Sequence, residues 1–242
     1  MVVLERIEEL DTIYNSHCNS EKEKTNLTKP NGSIELHNVT LFLNNKLVLK
    51  EISINFEPTL INGIMGCNGS GKTTILNLIN RVYSIDSGII KVSNQNIDDI
   101  KYHSLQENFA FVKQNPVLFD LSLIDNILLF DGSEKITQEE LKNACEAVNL
   151  LDDINKMPYG FSTEFNDQNK LSVGQTQKLQ IARMLLMNRP IILIDEATVN
   201  LDENSKEKIY NLFRDLSKSK TIILATNSDK DKLLCDNINY LK

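Results

Sequence analysis

A chain built for an oxidising compartment or a zinc site would pair its cysteines, and this one does not. Cys18, Cys67, Cys145 and Cys235 are scattered, with no C-x-x-C spacing, a usage that suits a reducing cytoplasm. Long apolar runs are missing too. The longest, such as LSLIDNILLF, are short and broken by Asp or Asn, so none is expected to span a bilayer. The start, MVVLERIEEL, has acidic residues where a signal peptide needs a basic flank and an apolar stretch. Nor is there an excess of positive charge. Lys and Arg number 26 against 33 Asp and Glu, a net charge of −7 with a pI near 5.1. That balance argues against a nucleic-acid partner held by phosphate neutralisation. What remains is an ordinary globular composition, 41% hydrophobic and 24% charged over 242 residues, enough chain for a substantial core.

The segment VLERIEELDTIY (3–14) places Leu4, Ile7 and Leu10 on one side of a short helix. Residues 15–33 are polar and punctuated and read as a linker, so the folded domain is expected from Ile34. Strand-like runs cover 34–42, 47–56 and 60–65, and a helix opens at Gly71-Lys72 and runs to about Val82. Further strands are expected at 89–92 and 109–113, then a helix-rich middle over roughly 122–158. There Thr137 and Glu140 form a capping box, with Leu141, Ala144, Cys145 and Val148 at helical spacing. Cys145 thus reads as a small buried hydrophobe. A helix over 172–187 leads to the strand IILID (191–195), and an amphipathic helix marked by Ile209, Leu212, Phe213 and Leu216 leads to TIILA (221–225). Helices alternating with β-rich runs imply a mainly parallel sheet covered on both faces.

Chemistry enters with GCNGSGKTT (66–74), which fits G-x-x-x-x-G-K-[ST] between an apolar strand and a helix. Gly66, Gly69 and Gly71 let backbone N–H groups, with those of Cys67, Asn68, Ser70 and Thr74, wrap a phosphate chain. Lys72 reaches the terminal phosphates, Thr73 offers a hydroxyl to Mg²⁺, and the helix N-terminus adds a favourable dipole. The pattern points to a nucleoside triphosphate and is silent on the base. IILIDEA (191–197) then delivers two carboxylates at a strand end, where side-chain alternation should point them differently. Asp195 is the candidate Mg²⁺ ligand and Glu196 the group that polarises an attacking water. In LSVGQTQKLQIARMLL (171–186), Ser172 and Gln175 make an S-x-x-Q capping box, with Gly174 keeping the approach to the helix N-terminus open. Lys72 already serves one nucleotide, so this second anion site makes sense if it caps a nucleotide held by another copy of the domain.

These strings together resemble the nucleotide-binding domain of ATP-binding cassette (ABC) transporters over about residues 34–242. LSVGQTQ is similar to that family's signature loop, IILIDEATVNLD to its Walker B segment and D-loop, and FVKQNPVLF to its Q-loop around Gln114. LERIEELD resembles the junction where an exporter's last membrane helix enters its ATPase domain. KQNPVLFDLSLIDNILLF resembles the exporter stretch facing the membrane domain, and TEFNDQNKLS the loop before the signature, with Asp167 at an acidic position. The resemblance implies a P-loop NTPase (RecA-like) core, an N-terminal antiparallel β subdomain and an inserted α-helical subdomain at about 115–172. It implies a head-to-tail dimer around two ATP molecules. Each site would take Lys72, Thr73, Gln114, Asp195 and Glu196 from one chain, with Gln114 also a metal ligand. Ser172, Gly174 and Gln175 would come from the other chain with Asp202. Transmembrane domains, in the same chain or a separate subunit, would turn ATP hydrolysis into export at the cytoplasmic face of the membrane. The nucleotide-binding partner would be identical or different. Soluble ABC proteins of DNA repair or translation fit poorly, because no long coiled coil fits between Thr74 and Leu171 and only one cassette is present.

Two departures stand out. The family places a histidine after the last strand where this chain has Asn227, with Thr226 the nearest alternative register. An asparagine amide can donate a hydrogen bond toward a γ-phosphate but cannot become cationic, so binding should survive better than turnover. Leu43 stands where the family offers an aromatic to stack on adenine, and alternation sends Phe42 to the other face. Two function classes follow: the ATPase of an exporter, or an ATP-binding, weakly hydrolysing regulatory half of a heterodimer.

Overall fold

The structure, a computed structural model, describes residues 23–28, 30–130, 132–165 and 170–241. The expected helix at 3–14, Cys18 and Asp167 lie outside the described residues. Strands β1 (Ile34–Leu43) and β2 (Lys46–Phe56) form a hairpin around Asn44-Asn45. Both asparagines have positive φ, 50° and 60°, the conformation a tight two-residue hairpin turn needs and asparagine tolerates. After β3 (Ile61–Met65) and α1 (Lys72–Ile79) come β4 (Ser87–Val92) and β5 (Gln95–Asn96), which complete an antiparallel sheet in the order β2-β1-β4-β5. Then follow α2 (Tyr102–Gln106), β6 (Phe109–Val112), α3 (Leu123–Ile127), α4 (Gln138–Ala147), α5 (Leu151–Asn155) and α6 (Val173–Met187). The chain closes with β7 (Ile191–Asp195), α7 (Glu203–Ser217), β8 (Thr221–Thr226), α8 (Asp229–Lys232) and β9 (Asn237–Tyr240). A second sheet, all parallel, has the order β6-β7-β8-β3-β9.

Side-chain alternation sorts this parallel sheet into two cores. Ile192, Ile194, Ile222 and Leu224 face the helical side, packing with Leu141, Cys145, Leu179, Ile181, Ile209 and Phe213. Ile191, Leu193, Ile223 and Ala225 face the other way, packing with Ile75 and Leu78 of α1 and with Ile34, Leu36 and Phe56 of the antiparallel sheet. A strand buried on both faces has no polar period, which is why β7 and β8 read as continuous apolar runs. The expected class, α/β with a parallel core, an antiparallel β subdomain and inserted helices between β6 and α6, is the architecture observed.

Two details differ from the sequence reading. The polar segment expected as a linker is packed in its last part. Thr25 bridges Ile100, the Leu27 amide donates to Ser104 Oγ at 3.0 Å, and the Leu27 side chain joins the second core. One apolar residue among polar neighbours left no period to detect. Helix α1 stops at Ile79 rather than Val82, because Asn80 leaves helical geometry and Arg81 turns left-handed at φ 57°. The expected helix-rich middle is present, with α3, α4 and α5 inside it among the described residues. Its Thr137–Glu140 capping box is present, with Cys145 beneath it fully buried and its thiol pushed up to about 12 by burial.

Candidate functional site

The loop between β3 and α1 stands over the C-terminal ends of the parallel strands, where open α/β sheets place their ligands. Gly71 is the N-cap of α1 at φ +96°, in the left-handed region, and a Cβ there would also lie 2.7 Å from Leu49 Cδ2 of β2. No side chain caps α1, so its first N–H groups are left for an incoming anion. Lys72 is buried at 5% exposure, its Nζ donating to Gly66 O (2.9 Å) and Cys67 O (3.2 Å) and lying 3.6 Å from Glu196 Oε1. Gln114, just beyond β6, donates from Nε2 to Glu196 Oε2 at 2.6 Å. These groups line one cleft of about 310 Å³ together with Val48, Asn68, Gly69, Gly71, Thr73 and Thr74.

Asp195 and Glu196 meet different partners, Thr73 for the first and Lys72 and Gln114 for the second, and their backbones differ as well. Asp195 ends β7, whereas Glu196 leaves the strand with φ 46° while its amide donates to Ala225 O at 3.0 Å. A left-handed non-glycine residue typically costs about 1–3 kcal/mol and persists where surrounding structure over-determines it. Asp195 is 3% exposed and its Oδ1 has no hydrogen-bond partner. Burial raises its pKa first and the Glu196 charge adds to that, against the Thr73 hydroxyl bond and Lys72, which lower it. A buried carboxylate held beside a hydroxyl with a free oxygen fits a hard divalent cation, which takes oxygen ligands. Gln114 spends its amide N–H on Glu196 and keeps its carbonyl oxygen for the same purpose. The orphaned, buried Ser70 Oγ inside the loop adds a further polar group without a partner.

Ser172 and Gln175 satisfy each other as the spacing predicts. Gln175 N donates to Ser172 Oγ (3.2 Å) and Ser172 N to Gln175 Oε1 (3.0 Å). Gly174 has a role inside its own chain: a Cβ there would sit 2.9 Å from Asn200 O, so the glycine lets the loop after β7 approach α6. Asp202 is likewise committed locally. It caps α7 by accepting from Ser205 N (2.9 Å) and Ser205 Oγ (2.6 Å), bonds that with Lys178 hold its carboxyl down at about 2. The cleft does not gather every expected residue. Leu43 packs against the second core at the hairpin tip, and Val48 is the β2 residue that lines the cleft; no sequence pattern singles Val48 out. Asn227 is exposed and its Nδ2 donates to Asn68 Oδ1 at 3.0 Å, joining the loop after β8 to the phosphate loop. Its neighbour Thr226 is fully buried and turned toward Asp231, so of the two registers Asn227 is the one that meets the cleft's rim. Sequence reading missed Thr198, Tyr210 and Asp231, a hydrogen-bonded cluster behind these loops in which Thr198 and Asp231 are buried and Tyr210 is half-buried. A signal for them would have needed the fold itself.

With the geometry in place, comparison settles the family. The sequence model described as "ABC transporter" matches residues 49–199, well over half of the chain. The chain belongs to the ABC transporter family. It is similar to an ATP-dependent lipid A-core flippase of Haemophilus influenzae, 36% identical over 88% of this chain and 38% of that protein. It is also 36% identical to a putative multidrug export ATP-binding/permease protein of Staphylococcus aureus, over 84% of this chain and 36% of that one. A solved structure of a bacterial Atm1-family ABC exporter with ATP bound superposes with a TM-score of 0.82 at 28% identity, covering 91% of this chain and 40% of that one. The chain spans between 12% and 38% of the length of the curated relatives it matches. Among the described residues no helix is long and apolar enough to cross a membrane.

Proposed function

We propose that this ABC domain binds and hydrolyses ATP, and that the cycle powers export through transmembrane domains at the cytoplasmic face of a membrane. The observation that carries this reading is the convergence of Lys72, Glu196, Gln114 and Thr73 on one cleft, with the buried Asp195 hydrogen-bonded to Thr73 behind them. Lys72 transfers its ammonium from the Glu196 carboxylate to the β- and γ-phosphates, a charge-assisted contact. That exchange releases Glu196 to accept a proton from the attacking water, with Gln114 keeping the carboxylate oriented. Thr73, Gln114 and Asp195 would hold Mg²⁺, which supplies charge neutralisation between the phosphates when bound. The Asn227 amide, aimed at the loop's Asn68, offers a neutral donor near the γ-phosphate. Ser172, Gly174 and Gln175 complete the site of a second domain, so ATP closes a head-to-tail pair. Residues 34–242, joined by the packed stretch around Thr25 and Leu27, form the nucleotide-binding domain, with the helical subdomain at about 115–172, and the residues before that stretch are the junction with the membrane domain.

Steady-state phosphate release from the domain with MgATP tests the enzyme reading. Glu196→Gln should stop release, retain nucleotide and trap a dimer on sizing chromatography, which Ser172→Arg should return to monomer. Release no faster than that of Lys72→Ala, despite ATP binding, would favour the second reading. In that reading the chain is a weakly hydrolysing regulatory half paired with a more active partner, and the neutral Asn227 on the rim is the observation in its favour.

A further inference from the structure

Asp231 is fully buried in α8, where an ionised carboxylate is costly unless hydrogen bonds answer it. Three hydroxyls do so. Thr198 Oγ1 donates to both carboxylate oxygens (2.9 and 3.0 Å), Thr226 Oγ1 donates to Oδ2 (2.6 Å), and Tyr210 OH donates to Oδ1. The donors come from three elements. Thr198 lies two residues after Glu196, Thr226 immediately precedes Asn227, and Tyr210 stands on α7. The loop after β7 and the end of β8 are already joined at the backbone by Glu196 N donating to Ala225 O, and Thr226 Oγ1 in turn accepts from Ser228 N at 3.0 Å. The left-handed Glu196 therefore sits between two anchors that meet on one carboxylate.

Resting on the ATPase reading above, we infer that Asp231 is a positioning residue that fixes the spacing between Glu196 and Asn227. It does not line the cleft; it acts through Thr198 and Thr226. Asp231→Asn keeps the volume, but replaces one acceptor oxygen by a donor that at least one hydroxyl must turn away from. Thr198→Val removes one anchor without opening a cavity, and Thr198→Ser keeps the hydroxyl.

The test pairs turnover with site-resolved hydrogen exchange in the folded domain. Asp231→Asn and Thr198→Val should each lower kcat by about tenfold or more, the scale of a misplaced reacting group, with KM for ATP unchanged. Thr198→Ser should recover most of the turnover lost in Thr198→Val. The amides of Glu196 and Ser228 should exchange faster in Asp231→Asn and Thr198→Val, while those of Leu193 and Ile223 hold. Unchanged kcat with unchanged exchange at the two amides overturns the proposal. So does a parallel loss of kcat and ATP affinity with exchange raised throughout β7 and β8, the mark of a merely structural residue. A wild-type domain that releases no phosphate beyond Lys72→Ala sinks the ATPase reading instead, and the two amides alone then decide for or against Asp231. Should Asp231→Asn fail to fold, the contrast between Thr198→Val and Thr198→Ser decides for or against the anchor in the same way.

Discussion

Two helices in this domain start in opposite ways. Helix α1 opens at a glycine with no side-chain cap, and the lysine at its first turn is held by loop carbonyls and by Glu196. Helix α6 opens at a reciprocal capping box that satisfies the Ser172 and Gln175 amides. An uncapped start is less stable by itself and readier for an anion; a capped start is stable by itself and must exchange a bond to hold one. The contrast suits a division in which one helix grips the nucleotide within the chain and the other meets a nucleotide already held elsewhere. Substitution should separate the two, since damage at α1 falls on affinity and damage at α6 falls on folding stability.

The largest effect is expected at α1. Lys72→Ala removes the ammonium that answers phosphate charge, and should weaken MgATP binding by about a hundredfold, roughly 3 kcal/mol. Calorimetry reads the affinity and circular dichroism the fold, which should be intact. An unchanged affinity would break the contrast at its stronger end.

Next comes the rim of the same cleft. Asn227→His puts an imidazole where a neutral amide now reaches Asn68. If charge develops there during phosphoryl transfer, kcat should rise by about tenfold, or roughly 1.4 kcal/mol of barrier, with KM little changed. Steady-state kinetics of the two proteins side by side checks it. A gain in affinity without a gain in kcat would make Asn227 a ground-state contact.

At α6 the effect should be smaller and of another kind. Ser172→Ala strips one side of the capping box, and should cost about 1 kcal/mol of folding stability, lowering the thermal midpoint by about 2–4 °C in a domain of this size. Affinity of the monomeric domain for ATP should not move. A loss of monomer affinity would place Ser172 in its own chain's site.

What the sequence revealed and what it hid divide along the same physical line. The phosphate loop was legible because its strand, glycines, lysine and helix are contiguous, so each residue type has a local reason. Strand β7 was legible because burial on both faces leaves an unbroken apolar run before the acids. Both capping boxes were legible because their partners lie three residues apart. The left-handed Glu196 was hidden, since nothing about a glutamate announces that backbone and only neighbouring strands impose it. Asp231 was hidden for a related reason: residues 198, 210, 226 and 231 meet only after separate elements pack. Leu27 seals the second core from within a polar run, where a single apolar residue has no period.

The smallest expected effect belongs to a third helix start, α7, which lies between the two extremes because its cap carries a charge. Asp202 accepts both the backbone N–H and the hydroxyl of Ser205 and faces Lys178, and these hold its carboxyl at about 2 against an ordinary 3.8. A carboxylate whose pKa is depressed on folding adds stability that is complete above its unfolded value and is lost as pH falls through the folded one. The gain from Asp202 is therefore present at neutral pH and disappears between about pH 4 and pH 2. The side chain is 59% exposed, so solvent screening keeps the gain to a few tenths of a kcal/mol at most, on the order of a surface ion pair. Asn also caps helices well, so Asp202→Asn isolates the charge from the cap. Urea midpoints for the two proteins should differ slightly at neutral pH and converge as acid protonates Asp202. High salt should shrink the neutral-pH difference, because screening acts on the Lys178 contact and leaves the Ser205 bonds in place. A difference that persists undiminished into acid would mean the substitution disturbs the Ser205 cap itself, and α7 would then belong with α6 as a helix secured by hydrogen bonds alone.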